Sequence, residues 1–217
     1  MKKILVLGCS HTSGHGFDDS DNGRNISKHV WPSKIANDFD CEVINLSSPG
    51  HSPTYCADRL HNFTDKNSLS AIMIQWPHHH RTLMRMTSPH GVDEDIPYHN
   101  SDYSAHPRWN NTIISYFKLC HNWRTNTLNL LSYAAYSKMV ASQLRIPLWM
   151  NTSTSDDYEF LKQNGVELDV PQDWLSYCQL NSLPKLPDGH YGHEAHENFY
   201  KEFIKPWLRK NGFINKS

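Results

Sequence analysis

Several things are missing from these 217 residues, and each absence removes a class of protein. No run of 18 apolar residues occurs, so the chain encodes no transmembrane helix. Neither sign of charge prevails. The 21 Lys+Arg and 22 Asp+Glu leave a formal net charge of −1, without the basic field that draws a protein onto nucleic acid or an anionic membrane. Five cysteines, Cys9, Cys41, Cys56, Cys120 and Cys178, are odd in number and form no C-x-x-C pair. That pattern speaks against a disulfide framework and a zinc knuckle, and favours reduced thiols in a cytoplasm. The opening segment ends in Leu-Gly-Cys as a lipoprotein signal does, but its apolar stretch, Ile4 to Leu7, falls short of the roughly 7–15 residues a signal needs. G-x-G-x-x-G and a Walker lysine are also absent, so no nucleotide site is expected.

What is present is a chain with 38% hydrophobic and 12% aromatic residues, enough for one domain with a sizeable core. Fifteen histidines make its surface charge sensitive to pH near neutrality. Four short apolar runs, Lys3–Leu7, Glu42–Leu46, Ala71–Trp76 and Pro147–Asn151, have the composition of buried parallel strands. Helical patterns alternate with them, at Trp31–Phe39 and at Thr54–Phe63, the latter entered through Ser52-Pro53 as cap and first turn. A doubly wound α/β sheet follows, in a single domain over 1–217. Residues 77–108 have no sustained period and predict an irregular, functional loop. Beyond them, Ile113, Ile114, Phe117 and Cys120, then Leu128, Leu131, Ala135 and Met139, predict two extra helices over about 109–143 whose apolar stripes pack. A last helix, His193–Arg209, shows a broad apolar face through Ala195, Phe199, Phe203 and Trp207, with Pro206 expected to bend or fray its end.

Chemistry concentrates at two places. Gly8-Cys9-Ser10-His11-Thr12-Ser13-Gly14 leaves the carboxyl end of the first strand, where open α/β sheets bind ligands, so Ser10 is a nucleophile candidate by position. A serine hydroxyl needs a base held by an orienting partner. Asp188-Gly189-His190 places a carboxylate two residues from an imidazole, near enough to take Nδ1 and leave Nε2 free. His193 and His196, three apart on the following helix, are alternative bases or metal ligands with His190, but that spacing more often marks a helix surface.

Three segments in register resemble blocks of the SGNH (GDSL-type) hydrolases: the Gly8–Gly14 turn, Asn45-Leu46-Ser47-Ser48-Pro49-Gly50-His51-Ser52, and Asp188-Gly189-His190-Tyr191-Gly192. The resemblance implies a three-layer α/β/α sandwich around a parallel sheet, and ester hydrolysis through an acyl-serine without metal or cofactor. It also implies Ser10 as nucleophile, His190 as base and Asp188 as its orienter. The oxyanion hole would draw on the Ser10 and Gly50 amides and on a side chain that in the family is Asn. Three departures stand out. Cys9 replaces the Asp that usually precedes the nucleophile. One residue separates Asp188 from His190 where most members have two, a shorter form found in some related carbohydrate esterases and acetyltransferases. Strand three ends Ile74-Gln75-Trp76-Pro77-His78-His79-His80-Arg81, with no Asn, leaving Gln75 or His78 as the donor, His78 being favoured by its distance from the strand. The histidine triplet reads either as a solvated loop or as part of the active-site mouth. Arg81 is a candidate fork for a substrate carboxylate, and Trp76, Tyr98, Tyr103 and Trp109 are candidate faces for stacking sugars. The expectation is a serine esterase for short acyl esters, acetyl esters among them, of a small molecule or glycan. An O-acyltransferase, an inert carbohydrate-binding module and a metal-dependent hydrolase are the alternatives.

Overall fold

The computed structural model describes residues 1–21, 24–87, 93–99 and 123–216. The strands in chain order are β1 (Lys2–Leu7), β2 (Cys41–Asn45), β3 (Leu69–Trp76), β4 (Arg81–Thr87), β5 (Asp93–His99) and β6 (Leu148–Thr152). β2, β1, β3 and β6 lie side by side in that order, all parallel, with Ile4 opposite Val43 and Ala71, and Trp76 opposite Thr152. The continuous apolar runs are explained by burial of both faces. Ile4, Val6, Ala71, Met73 and Trp149 point into one layer, while Leu5, Leu7, Ile72, Ile74, Trp76 and Met150 point into the other.

Helices close both faces. They are α1 (Ser10–Ser13), α2 (Trp31–Asp38), α3 (Pro53–Asn62), α4 (Trp123–Leu144), α5 (Ser155–Gln163), α6 (Trp174–Leu180), α7 (His193–Phe199) and α8 (Lys205–Lys210). The first layer takes Trp31 and Ile35 of α2, Trp174 and Tyr177 of α6, and Ala195, Phe199 and Leu208 of the C-terminal helices. The second takes Cys56 and Leu60 of α3, Leu130, Ala134 and Val140 of α4, and Leu161 of α5. Ser52 caps α3 as its sequence suggests, its hydroxyl accepting the Tyr55 N–H at 3.3 Å. The expected three-layer sandwich is therefore the observed one.

Three expectations need correction. Part of the segment expected to be irregular is an antiparallel hairpin, β4 with β5, whose register sets Arg85 opposite Asp95. Its strands carry charges and Pro97 in place of alternating apolar residues, which hides the period-2 signal. In the α4 stripe through Leu128, Leu131, Ala135 and Met139 only Leu131 packs on the core, for Leu128 and Met139 are each about half exposed and Ala135 is exposed. A neighbouring stripe, Leu130, Ala134, Ser137 and Ala141, is buried instead. Apolar residues are spread round the helix rather than gathered on one stripe, so spacing alone fits two faces, and the one with small residues allows the closer approach to its neighbours. Finally, Pro206 does not fray the last helix. A single π-helical stretch, Tyr200–Ile204, widens the turn just before it, and the chain continues helically to Lys210. The expected helix around Ile113–Cys120 lies outside the described residues.

Candidate active site

The chain passes from β1 outward to β2, then returns to the opposite side of β1 for β3. The crevice of such a sheet opens where its strand order reverses, beyond the carboxyl ends of β1 and β3. Ser10 begins α1 there and is 3% exposed, and its amide, as the first of a helix, has no intrahelical acceptor. The turn carrying Gly50 is bound to the same place: Leu46 N–H donates to the Val6 carbonyl at 2.9 Å and Ser48 N–H to the Gly8 carbonyl at 3.3 Å. Gly50 itself adopts φ 74°, which favours glycine.

Asp188 and His190 meet as their spacing predicts. The His190 ring Nδ1 lies 2.9 Å from Asp188 Oδ2, and the His190 amide donates to Oδ1 at 3.1 Å. The carboxylate thus fixes the ring and leaves Nε2 available. Burial lowers the pKa of His190, outweighing the opposing pull of Asp188, so the ring is neutral at pH 7 and able to accept a proton. Burial opposes ionisation of Asp188, but its hydrogen bonds from His190 and the His190 charge win and hold its pKa below the usual value. The pair is seated against the first turn by Gly16. A Cβ there would fall 2.2 Å from Asp188 Oδ2, and φ is +92°. Only glycine lets the carboxylate approach the loop that follows α1. The His190 ring then packs between His11 and His15, with centroids 5.3 and 5.2 Å away. His190 is brought beside the neighbour of Ser10, although among the described residues the two catalytic candidates share no hydrogen bond. Such bonds in free enzymes are often long and tighten around substrate.

The exit of β3 supplies the remaining candidates. Gln75 is fully buried, and its Oε1 accepts from Thr12 Oγ1 at 3.0 Å and from Trp31 Nε1 at 3.1 Å, so it braces α1 from below. His78 lies at the rim of a cavity with Cys9, His11, Arg81, Ser153, Thr154 and Leu175. Its Nδ1 accepts the His80 amide at 3.1 Å, which assigns the proton of the neutral ring to Nε2. Burial pushes its pKa down to about 4, so it stays neutral over the working range. An additional pH dependence from His78 near neutrality is therefore not expected. Trp76, expected to stack on sugars, is fully buried in the second core layer and cannot reach a ligand. The side chain of Tyr98, together with Tyr103 and Trp109, lies outside the described residues.

The histidines of α7 diverge. His196 is buried with its ring 4.7 Å from Trp174, and burial pushes its pKa down to about 3, while His193 faces His29 and the Lys34 ammonium. They do not converge with His190. The triplet after β3 is different again: ligand nitrogens of His78, His79 and His80 lie within 4.8 Å of one another, the one grouping of metal-ligating side chains found among the described residues. Its centre is no solvated loop. His79 is buried, and its amide donates to Asp157 Oδ2 at 3.1 Å while its Nδ1 pairs with Asp157 Oδ1. Thr154 Oγ1 adds a bond to Asp157 Oδ2 at 2.8 Å. Sequence reading missed this second Asp–His pair because its members are 78 residues apart; the signal is the pairing of β3 with β6, which sets their exit loops side by side.

No protein-family model and no curated protein matches the chain. Solved structures do. The crystal structure of TesA superposes with a TM-score of 0.56 at 13% identity, covering 97% of this chain and 99% of its own. The psychrotrophic esterase EstA from Pseudoalteromonas sp., inhibited by monoethylphosphonate, superposes with a TM-score of 0.51 at 12% identity, covering 96% and 100%. Both likenesses span nearly the full length of each partner, and at such identity they establish architecture. The chain shares its three-layer α/β/α fold with these two structures, at a sequence identity of 12–13%.

Proposed function

We propose that this protein is a serine esterase that hydrolyses short acyl esters. The observation that carries the reading is the Asp188–His190 pair: a neutral imidazole, oriented by a carboxylate at 2.9 Å, packed on the residue next to Ser10. In this mechanism Ser10 Oγ attacks the ester carbonyl as His190 Nε2 takes its proton, and Asp188 stabilises the imidazolium. The Ser10 and Gly50 amides and the His78 Nε2–H hold the oxyanion. His190 returns the proton to the departing alcohol, then activates the water that frees the acyl group. One side-chain donor of this kind is worth about 2.7–4 kcal/mol of transition-state stabilisation. The Gln75 carbonyl is committed to Thr12 and Trp31, while its Nε2, buried without a partner among the described residues, is the alternative side-chain donor.

The relatives point the same way, since one of them is named an esterase. Replacing Ser10 by Ala is the direct test. Turnover of 4-nitrophenyl acetate is expected to disappear with the melting temperature nearly unchanged, and undiminished hydrolysis would end the reading.

A further inference from the structure

Two cavities flank the candidate site, one lined by Asp188 and the other by His11, whose ring packs on His190, and their linings differ in charge. One, of about 450 Å³, is bordered by Asp18, Asp21 and Asp188 together with His15 and the Gly16–Phe17 turn. The other, of about 180 Å³, is bordered by Cys9 and His11 on either side of Ser10, and by His78, Arg81, Ser153 and Thr154, with no carboxylate. Arg81 begins β4, its amide held by the His78 carbonyl at 3.0 Å. Two of its guanidinium nitrogens, Nε and Nη1, are buried with no hydrogen-bond partner among the described residues. Donors on a permanent cation are costly to leave unmade in a dry site, and a planar fork of this kind fits a carboxylate in two parallel bonds.

Resting on the esterase reading above, we infer that the acyl group carries its own carboxylate, making the substrate a half-ester of a short dicarboxylic acid. The departing alcohol must receive its proton from His190, so it belongs in the larger cleft beside Asp188, whose acidic border disfavours an anion there. The acyl group then enters the smaller, cationic cavity and ends on Arg81. Its volume equals roughly six waters, enough for a chain of a few carbons and too little for a fatty tail. The cationic field of Arg81 also reaches His11, His78 and His190, and lowers the pKa of each. An anion bound at Arg81 offsets that field and raises the pKa of His190.

The test compares three esters by pH-stat: ethyl hydrogen succinate, its neutral analogue ethyl levulinate, and acetoxyacetate, whose carboxylate is on the alcohol side. The wild type is expected to favour ethyl hydrogen succinate over ethyl levulinate by about ten- to hundredfold in kcat/KM, mostly through KM. Arg81→Met should erase that preference, and Arg81→Lys should restore part of it. The acid limb of kcat for ethyl hydrogen succinate should lie at higher pH than that for ethyl levulinate. Equal turnover of both esters, a preference that survives Arg81→Met, or a preference for acetoxyacetate would overturn the inference and leave the esterase intact. Calorimetry of ethyl hydrogen succinate with Ser10→Ala separates the two claims. Binding that Arg81→Met abolishes, in a protein that turns over none of the esters, would sink the esterase reading and keep the carboxylate pocket.

Discussion

The molecule contains the same chemical pair twice, and burial gives the two copies different work. In Asp188–His190 both side chains keep partial solvent contact, at 33% and 22% exposure, and the free edge of the ring lies in a crevice among His11, His15 and the serine turn. In Asp157–His79 neither side chain is exposed, and His79 Nε2 is buried without a partner among the described residues. On the proposed reading the first pair exchanges a proton with a substrate. The second ties the exit of β3 to the start of α5, fixing the loop that carries His78 and Arg81. An Asp–His contact is thus a catalytic signature only where its second nitrogen has somewhere to send a proton.

Substitutions can break this contrast. His190→Ala should reduce kcat for a simple ester on the order of 10⁶-fold, as members of a triad act as a unit, while His193→Ala retains most activity. A severe loss at His193 with a mild one at His190 would reverse the assignment. Gly16→Ala should push Asp188 off its seat and cost about a hundredfold in kcat, the usual penalty for misplacing a catalytic group by an ångström. The readout that separates positioning from folding is the acid limb of the pH profile, which should move in Gly16→Ala as the Asp188 bond to His190 is lost. Asp157→Asn should do the opposite of these. It is expected to lower stability by about 1–3 kcal/mol, seen as a lower Tm, with kcat for ethyl levulinate changed less than tenfold. A catalytic collapse in Asp157→Asn without loss of stability would mean that the buried pair takes part in chemistry.

A smaller effect sharpens the same contrast through pH. Because His190 titrates below its ordinary 6.5, kcat/KM should be flat from neutrality downward and fall only at a pH below 6.5, as the base becomes protonated. His78, with its pKa pushed down to about 4, should add no second limb above that value. An acid limb centred above 6.5 would contradict both the neutral base and its cause.

The parts of this arrangement that were legible in the sequence are those encoded locally. The four sheet strands are continuous apolar runs, Ser52-Pro53 is a cap, and Asp188 and His190 stand two residues apart in one turn. What was illegible depends on contacts across the chain. Trp76 looks like a sugar platform until β3 is known to turn it into the second core layer. His79 looks like one of three solvated imidazoles until β6 delivers Asp157. Gly16 carries no motif, and its necessity comes from a carboxylate 172 positions later, which packs where a Cβ would be. The face of α4 fell between these cases, since two helical stripes satisfy one spacing and only the packed neighbours choose between them.

Covalent labelling tests the central claim most directly. A fluorophosphonate probe, followed by peptide mapping, should modify the wild type at Ser10 alone, with labelling slowed strongly in His190→Ala and changed less than tenfold in Asp157→Asn. Modification at another residue, or a Ser10 label that forms equally fast without His190, would contradict the assignment of Ser10, His190 and Asp188 as the reacting set.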